Sequence, residues 1–445
     1  MIITTLVQLL DTLFAGKTSC IRRMHALCDS VIVIDEVQTV PNEMLSLFNT
    51  AVNFLSEVCG ATIVLCSATQ PCLEQTAHPI TENIKDIVPF DEELWRVFRR
   101  TQIIDKGGMR LDAIPAFIAE QLDRTDSLLV ICNLKKQAAY LFTEMNLGNT
   151  VIFHLSAGMC MAHRMAVISE INSALEKKRT DPDAPKVVCI STQVIEAGVD
   201  VSFGCVIRLC AGLDSVIQAA GRCNRNGELN GAADVFIINC RGEDLGMLRS
   251  IKDGKMACMS LLSDYKYHPE KYPSGLTSDE AVYAYYKKLY IQSDIGAQDM
   301  PIKIDGSPFT LFDLLSLDRT FANAPYLKAN GEKYALTQAF KTAGSRFTVF
   351  GSRTTDVIVP YGEGKEIITE LGSKRVEEDI KYLKKLIKKA RAYTVSLYEN
   401  QRRALADSGA LHPIADGIAL ALSEEFYNED FGLNLDGESR EAITL

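Results

Sequence analysis

The sequence lacks the cysteine patterns of a disulfide-bonded or zinc-binding protein. It contains 13 cysteines, but no two are separated by two residues and none clusters with histidine. Most lie inside apolar segments such as "VVCIST" and "FGCVIRLC". Scattered thiols of this kind are typical of reduced, buried cysteines in a cytosolic protein. We therefore expect a cytoplasmic location and no disulfide framework or zinc site.

Long apolar runs and a secretory leader are also missing. No uninterrupted apolar run approaches the roughly 18–20 residues that a membrane-spanning helix requires. The first residues have no basic n-region, and Asp11 interrupts their apolar run. These features predict a protein without a membrane partner.

Positive charge is in the minority, with 47 Lys and Arg against 57 Asp and Glu and a formal net charge of −10. This balance excludes nucleic-acid binding by bulk positive charge, although it allows a local basic groove. A chain of 445 residues also exceeds what one hydrophobic core usually fills, so two or three domains are expected.

The segment "DTLFAGKTSC" contains a Gly-Lys-Thr of the kind that ends a phosphate-binding loop, but the rest of the loop pattern is absent. The pattern G-x-x-x-x-G-K-[ST] needs a glycine where Asp11 stands, and it needs a buried strand before it. The preceding "TTLVQLLDTLF" instead has helical apolar spacing. We interpret Gly16-Lys17-Thr18 as a helix end with a glycine cap.

The first 240 residues alternate β-branched runs with helical patterns, which predicts an α/β fold. The runs are continuously apolar, which is typical of parallel strands buried on both faces. A polar, charge-rich break at 91–108 separates a first sheet from a second. The predicted strands are 30–35, 61–66, 127–132, 150–155, 186–191, 204–209 and 234–239.

The remainder of the chain has a different character. The helical segment between 280 and 290 is rich in tyrosine. We expect these tyrosines to pack in the core or at an interface, and base stacking is the less favoured alternative. A hairpin is predicted within 346–368 and a long helix over 376–393. This helix presents a basic face, which is a solvated surface or a docking surface for DNA. Its cations are Lys381, Lys384, Lys385, Lys388, Lys389 and Arg391, opposite Ile380, Leu383, Ile387 and Ala390.

Asp35 and Glu36 follow the buried run "SVIVI", at the sheet edge where open α/β proteins bind ligands. One carboxylate there can hold Mg²⁺ on nucleotide phosphates, and a second can activate the attacking water. An acidic helix cap is the alternative for these two residues alone.

Three further motifs favour a catalytic role over a helix cap: "LCSATQP" at 65–71, "CISTQVIEAGVDVS" at 189–202 and "DSVIQAAGRCNRNGE" at 214–228. In the last, Gln218, Arg222 and Arg225 have i, i+4, i+7 spacing, which predicts one helical face that clamps phosphoryl charge.

These segments resemble motifs II, III, V and VI of superfamily 2 helicases. "IITTLVQLLDTLF", "RRMHALCDSVIVIDEVQTVP", "HLSAGMCMAHR" and "VIVPYGEGKEII" further resemble the CRISPR-associated helicase–nuclease of type I systems. In that family an HD nuclease domain and a Walker A loop precede the part seen here. The sequence is therefore similar to a C-terminal portion, beginning near motif Ib at Thr4, Thr5 and Gln8.

The resemblance implies two RecA-like parallel-sheet domains, the first incomplete, followed by a helical linker and a small α+β C-terminal domain. The implied ranges are 1–105 for the first RecA-like domain, 106–265 for the second, 266–345 for the linker and 346–445 for the accessory domain. The implied activity is ATP-dependent, 3′ to 5′ translocation on single-stranded DNA, after recruitment by the type I CRISPR effector complex. ATP and Mg²⁺ are the implied cofactors.

Roles follow position by position from the same resemblance. The implied catalytic residues are Asp35 (on Mg²⁺), Glu36, Gln218, Arg222 and Arg225. The implied ATP-coupling residues are Ser67, Thr69, Gly198 and Asp200, and the implied DNA contacts are Thr5, His154, Ser156, Thr192 and Gln193.

Three alternatives stay open from the sequence. The chain could be a catalytically incomplete DNA-binding or scaffold subunit, which needs a separate polypeptide carrying the Walker A half and the HD nuclease. It could also be another superfamily 2 motor that acts on RNA or chromosomal DNA. His154 and His163 could form a metal pair, although structural or strand-contact roles are favoured because no partner carboxylate pattern accompanies them.

Overall fold

The structure, a computed structural model, describes residues 1–81, 84–88, 99–196, 198–246, 248–291, 297–316, 329, 331, 338–349, 354–373, 376 and 379–435. Among these residues the α-helices are α1 Leu6–Phe14, α2 Thr18–Ile21, α3 Leu45–Glu57, α4 Ile114–Leu122, α5 Lys135–Glu144, α6 Met161–Thr180, α7 Leu213–Ala220, α8 Arg249–Tyr267, α9 Asp279–Ile291, α10 Leu311–Leu315, α11 Phe340–Arg346, α12 Gly364–Leu371, α13 Ile380–Ala390 and α14 Glu399–Asp407.

The strands of the same residues are β1 Val31–Ile34, β2 Thr62–Leu65, β3 Thr101–Arg110, β4 Ser127–Ile131, β5 Thr150–Leu155, β6 Lys186–Ser191, β7 Cys205–Leu209, β8 Ala233–Arg241, β9 Pro301–Ile304, β10 Ser307–Thr310, β11 Thr354–Ile358, β12 Thr394–Tyr398, β13 Leu411–Ile414, β14 Ala419–Leu422, β15 Tyr427–Asn428 and β16 Gly432–Leu433. The seven strands predicted from the sequence are therefore all present, and the α/β fold class is confirmed.

The chain forms two compact units. Unit 1 comprises residues 1–90, 212–214 and 248–351, and unit 2 comprises residues 91–211, 215–247 and 352–445. The central element of unit 2 is a six-stranded sheet in the order β3-β8-β7-β4-β6-β5. Every neighbouring pair in this sheet is parallel.

Both faces of the six-stranded sheet are covered, as its continuous apolar runs predict. Leu128 and Val130 of β4 pack into one hydrophobic cluster together with α4 and α5. Leu129 and Ile131 point to the opposite face and pack into a second cluster with α6. Alternate residues of a strand face opposite sides of its sheet, so a strand buried on both sides must be apolar throughout.

The prediction that continuously apolar strands are buried on both faces is wrong for the first sheet. In unit 1, β1 and β2 form a two-stranded parallel sheet, with Ile34 opposite Leu65. Ile34 is buried, but Val31 and Val33 are 71% and 62% exposed on the other face. Among the described residues, only one face of β1 is therefore covered.

The charge-rich break at 91–108 contains a strand that the sequence did not reveal. Residues 91–98 lie outside the described residues, but β3 begins at Thr101 and pairs in parallel with β8. A bulge between Asp105 and Gly108 interrupts the pairing. Polar residues are tolerated in β3 because it lies at the edge of the sheet. β3 crosses the boundary proposed between residues 105 and 106, and the domain boundaries stay predictions.

The predicted hairpin at 346–368 is wrong, although its residues 350–353 lie outside the described part. β11 pairs antiparallel with β12 and parallel with β14, within a sheet of order β12-β11-β14-β13. The second half of the segment forms α12. The long helix predicted over 376–393 is present as α13. It begins at Ile380 because the Asp379 carboxylate accepts hydrogen bonds from the backbone N–H groups of Lys381 and Tyr382, at 2.9 and 3.0 Å.

Helices of the length and apolarity needed to cross a bilayer are absent from the part of the chain that the structure describes.

Candidate functional site

The acidic pair lies at the carboxyl end of β1, in unit 1. Asp35 and Glu36 are both exposed, and an Asp35 carboxylate oxygen accepts a hydrogen bond from the Glu36 backbone N–H at 2.9 Å. Glu36 has a φ of 53°, in the left-handed region that residues other than glycine rarely adopt. Backbone strain of this type is concentrated at functional sites.

Gln38 connects this acidic pair to the "SAT" segment. Its side-chain amide donates to a Glu36 carboxylate oxygen, and its amide oxygen accepts from the Ser67 hydroxyl. The Ser67 hydroxyl also accepts from the Thr69 backbone N–H at 3.0 Å. The contact forms because β1 and β2 are parallel neighbours whose carboxyl ends share one edge. Sequence reasoning gave Gln38 no role, although its place in "DEVQ" was a signal.

Two tyrosines of α9 extend this set of contacts. Thr69 is buried, and its hydroxyl lies 3.3 Å from the Tyr286 hydroxyl. The neighbouring Tyr285 donates to an Asp214 carboxylate oxygen at 2.8 Å. Burial raises the pKa of both phenols well above the usual value, so both stay protonated donors. Core packing, predicted for these tyrosines, thus also fixes Thr69 and Asp214.

Arg222 is held by the segment that resembles motif V, in unit 2. Its guanidinium donates to the backbone carbonyls of Ile195 and Glu196 at 3.0 and 2.6 Å, and the residue is 7% exposed. In this structure the side chain therefore orders the motif V backbone.

Arg225 differs from Arg222 because its side chain reaches solvent. It is 41% exposed and forms an ion pair with Asp200 at 3.0 Å, while the Asp200 side chain is 86% exposed. Gly198, two residues before Asp200, has a φ of 71° and is exposed. The structure thus brings together Arg225 and Asp200, two of the predicted site residues.

The prediction that Gln218, Arg222 and Arg225 share one helical face is wrong. Helix α7 ends at Ala220, so it carries the half-buried Gln218 but neither arginine. Beyond the helix, Phe203 and Cys223 form a parallel β-bridge, which places the chain after Gly221 alongside the segment that resembles motif V. Because of this bridge, tertiary pairing overrides the i, i+4, i+7 pattern.

A buried ion pair joins the segment that resembles motif V to strand β7. The Arg208 guanidinium in β7 lies 2.7 Å from a Glu196 carboxylate oxygen, and their side chains are 0% and 6% exposed. Arg208 also donates to the Asn133 amide oxygen at 2.7 Å. The Asn133 amide in turn donates to a Glu243 carboxylate oxygen at 2.9 Å. Sequence reasoning missed this network because its members come from four separate segments.

Three of the five predicted DNA contacts are buried. His154, Ser156 and Thr192 are 5%, 2% and 6% exposed. Gln193 is half-buried, and the Thr5 hydroxyl caps α1 by accepting from the Gln8 backbone N–H at 3.2 Å.

The C-terminal strap, defined here as residues 427–433, covers His154. The His154 ring nitrogen Nδ1 lies 2.9 Å from the Asp430 carbonyl oxygen, and the His154 and Phe431 rings are 5.1 Å apart. Burial lowers the pKa of His154 to about 4. His163 instead stacks on Tyr361 and contacts the Tyr427 hydroxyl at 3.0 Å. These contacts support structural roles over a metal pair.

Metal binding by the protein alone has no support among the described residues, in which no group of three or more His, Cys, Asp or Glu could hold an ion. Mg²⁺ bound to a nucleotide needs fewer protein ligands, because it keeps several waters and is coordinated by one or two carboxylates plus phosphate oxygens. The exposed Asp35 carboxylate fits this requirement, since the one hydrogen bond from Glu36 occupies one of its oxygens.

Gly16 and Lys17 do not form a phosphate cradle. They lie between α1 and α2, and the Gly16 backbone N–H donates to the Gly344 carbonyl at 3.2 Å. The predicted helix end is correct, but the glycine cap is wrong because Gly16 has no positive φ. Glycine is needed here for close approach: a Cβ on Gly344 would lie 2.6 Å from the Gly16 Cα.

Comparison with known proteins confirms the resemblance inferred from the motifs. Residues 124–228 match the family model described as CRISPR-associated nuclease/helicase Cas3, C-terminal. The CRISPR-associated nuclease/helicase Cas3 of Methanothermobacter thermautotrophicus is 26% identical in an alignment of 219 residues, and the match covers 44% of this chain and 24% of that protein. The matched segment thus spans about a quarter of this relative.

Solved structures share the fold. The crystal structure of T. fusca Cas3-ATP matches with a TM-score of 0.55 at 16% identity, covering 94% of this chain and 53% of that chain. A chain of a CRISPR RNA-guided surveillance complex, pre-nicking, matches with a TM-score of 0.52 at 14% identity, covering 88% and 52%. The chain therefore spans about half the length of these proteins, and at such identities the likeness concerns the fold.

Proposed function

We propose, from the similarity of residues 124–228 to the C-terminal region of the CRISPR-associated nuclease/helicase Cas3, that this chain is the ATP-dependent, single-stranded DNA translocase module of a type I CRISPR system. It would unwind target DNA after recruitment to the R-loop. The structural match to a chain of a CRISPR surveillance complex supports the effector complex as the recruiting partner.

The observation that carries this proposal is the contact of Gln38 with both Glu36 and Ser67. A water-activating carboxylate must be oriented, and it must also communicate with the segments that hold the strand. Gln38 provides the physical link, because its side-chain amide bonds to Glu36 and to Ser67 at the same time.

The other site residues receive roles within the same proposal. Asp35 would hold Mg²⁺, which neutralises charge on the phosphates when it is bound. Arg225, whose side chain is exposed beside Asp200, would stabilise the transferring phosphoryl group. Arg222 would act by ordering motif V, since its guanidinium is bound to the carbonyls there. The exposed Thr5 and the half-buried Gln193 are the more accessible of the proposed strand contacts.

The test is ATP turnover stimulated by single-stranded DNA, measured for the chain and for its Glu36→Gln variant. We expect the variant to lose about 10²–10⁴-fold in kcat, the usual contribution of a positioned base. Glu57→Gln, an exposed carboxylate at the end of α3, is the matched control and should turn over normally. Equal rates for both variants would remove Glu36 from the mechanism, and stronger stimulation by RNA would favour a different superfamily 2 motor.

A second candidate function is a catalytically incomplete DNA-binding or scaffold subunit. Two observations favour it: Gly16 and Lys17 lie between two helices rather than after a strand, and Val31 and Val33 are exposed on one face of β1. A separate polypeptide that carries the phosphate-binding loop would complete the nucleotide site and cover this face.

Adding a polypeptide that carries a Walker A loop and an HD nuclease domain distinguishes the two candidates. The second candidate predicts turnover only in the mixture, with loss of binding when Val31 and Val33 are replaced by serine. Turnover by the chain alone would overturn it.

A further inference from the structure

Helix α13 carries a dense basic face in a chain whose formal net charge is −10. Lys381, Lys384, Lys385, Lys388 and Lys389 are all exposed, and Arg391 follows directly after the helix. At 100° per residue, the five lysines fall within an arc of about 140°. The cations thus form one face, which we name the α13 lysine face.

The helix is firmly attached by its opposite side. Leu386 and Ala390 are buried, and together with Leu383 and Ile387 they pack into the hydrophobic cluster of the C-terminal sheet and α12. Asp379 caps the N-terminus of the helix. A helix held in this way presents its outward side chains as a fixed row, so lysine spacing is set by the helical rise of about 1.5 Å per residue.

Three carboxylates near this face, in the part of the chain that the structure describes, already have partners. Glu363 pairs with Lys389 at 3.0 Å, Glu370 accepts from the Tyr382 hydroxyl, and Asp379 accepts from the helix backbone. Among the described residues, Lys381, Lys384, Lys385 and Lys388 form no ion pair. Adjacent ammonium groups on one helix face repel each other, and an anionic partner with closely spaced charges would relieve this repulsion.

We propose that the α13 lysine face docks the phosphate backbone of double-stranded DNA, independently of sequence. Charge complementarity favours a polyphosphate, because four lysines can each replace a condensed counterion. A duplex fits better than a single strand because single-strand sites add aromatic side chains on which bases stack. The described residues of this face include no exposed aromatic ring, since Tyr382 is half-buried and bonded to Glu370. Duplex docking goes beyond the proposed translocation on a single strand.

The test measures binding of the full chain to a fluorescent 20-base-pair duplex, by anisotropy, between 50 and 200 mM KCl without nucleotide. One variant replaces the four lysines by glutamine (K381Q, K384Q, K385Q, K388Q), which keeps helix propensity and removes charge. The matched control makes the same charge change at exposed lysines on other elements (K136Q, K177Q, K252Q, K303Q). Because no nucleotide is present, the result does not depend on whether the chain hydrolyses ATP.

We expect the α13 variant to bind the duplex at least about tenfold more weakly at 100 mM salt, and the salt slope of log K to fall by about 0.9 for each lysine that contacts a phosphate. The control variant should keep both values. Lysine-to-arginine changes at the same four positions should preserve binding, and circular dichroism should show both glutamine variants folded.

Several outcomes would overturn the proposal. Equal losses in the α13 and control variants would show that overall charge decides binding. An unchanged α13 variant would leave the face as a solvated surface. A loss restricted to single-stranded DNA, to anionic lipid vesicles or to an acidic protein would assign the face to that partner instead.

Discussion

At the scale of single residues, burial separates the candidate site into accessible and inaccessible groups. Asp35, Glu36 and Asp200 are exposed, and their carboxylates can meet a ligand directly. Arg222 and His154 are buried, and each bonds to backbone carbonyls. A buried side chain that bonds to the backbone orders the segment it contacts, so we predict that these two residues influence a ligand through those segments.

His154 makes stability depend on pH. Its pKa falls to about 4 because burial disfavours the charged ring, whereas an exposed histidine titrates near 6.5. A lowered folded-state pKa means that protonation favours the unfolded state, so the stabilisation is complete above about pH 6.5 and is lost as the pH falls towards 4. The full effect is about 3 kcal/mol in the free energy of unfolding.

Urea unfolding of the wild type and of His154→Phe between pH 7.5 and 4.5 checks this prediction. We expect the wild type to lose stability relative to the variant as the pH falls, because phenylalanine does not titrate. His25→Phe, at an exposed ring, is the control and should run parallel to the wild type. Parallel curves for His154→Phe would show that His154 is not buried in solution.

At the scale of elements, glycines let the C-terminal strap dock on the loop after β5. Gly432 has a φ of 74°, and a Cβ there would lie 2.4 Å from the Gly158 carbonyl oxygen. The Leu433 N–H donates to the same carbonyl at 2.8 Å. The strap therefore follows the backbone of residues 158–159 closely, which places Asp430 against His154.

Gly432→Ala should displace the strap. We expect a loss of about 2–5 kcal/mol, the sum of left-handed strain and overpacking, and a rise in the pKa of His154 as its ring reaches water. Gly409→Ala is the matched control, because Gly409 also has a φ of 74° but has open space around the added Cβ. Urea unfolding and NMR titration of the His154 ring measure both effects. Equal losses in the two variants would mean that strain alone, and not docking, is responsible.

The Arg208–Glu196 pair joins motif V to the central strand β7. Removing one partner leaves a buried charge unpaired, so Glu196→Leu should cost about 3–5 kcal/mol in unfolding free energy. The double variant Arg208→Met/Glu196→Leu should recover much of that loss because no charge stays buried.

Chemical unfolding of the wild type, the Glu196→Leu variant and the double variant measures these differences in unfolding free energy. The exposed pair of Arg110 and Asp112, 2.8 Å apart, is the control, and Asp112→Leu should change little. A double variant as unstable as the single one would show that the network stabilises through hydrogen bonds rather than charge pairing.

At the scale of the whole molecule, the cysteines report on burial across both units. Of the 13 cysteines, Cys28 is exposed, Cys59 and Cys66 are half-buried, and the rest are buried. Burial raises the pKa of the Cys205 thiol to about 12, and it also raises the pKa of Cys132 and Cys189. Since the thiolate is the reactive form, buried thiols should be inert.

A thiol-reactive dye should therefore label about one cysteine quickly and up to about three in the native protein. All 13 thiols should react after denaturation in guanidinium. Cys28→Ser should remove the fast phase, whereas Cys189→Ser should leave native labelling unchanged. Rapid labelling of many thiols in the native state would contradict the burial described here.

The sequence by itself determined the α/β class, the seven strands quoted from it and the places where chemistry-bearing residues end those strands. Local patterns suffice for these features, because a continuously apolar, β-branched run such as "KVVCIS" is typical of a strand in a parallel sheet. The motifs likewise gave the family resemblance, since they are short and continuous in the chain.

Only the tertiary structure decided how these segments meet. The bridge between Phe203 and Cys223 ends α7 before Arg222, and no helical period could reveal it. The Gln38 link, the network around Arg208 and the strap over His154 all join residues distant in sequence. Such contacts depend on which strand ends and loops pack together, and that choice follows from burial of the whole core rather than from any local pattern.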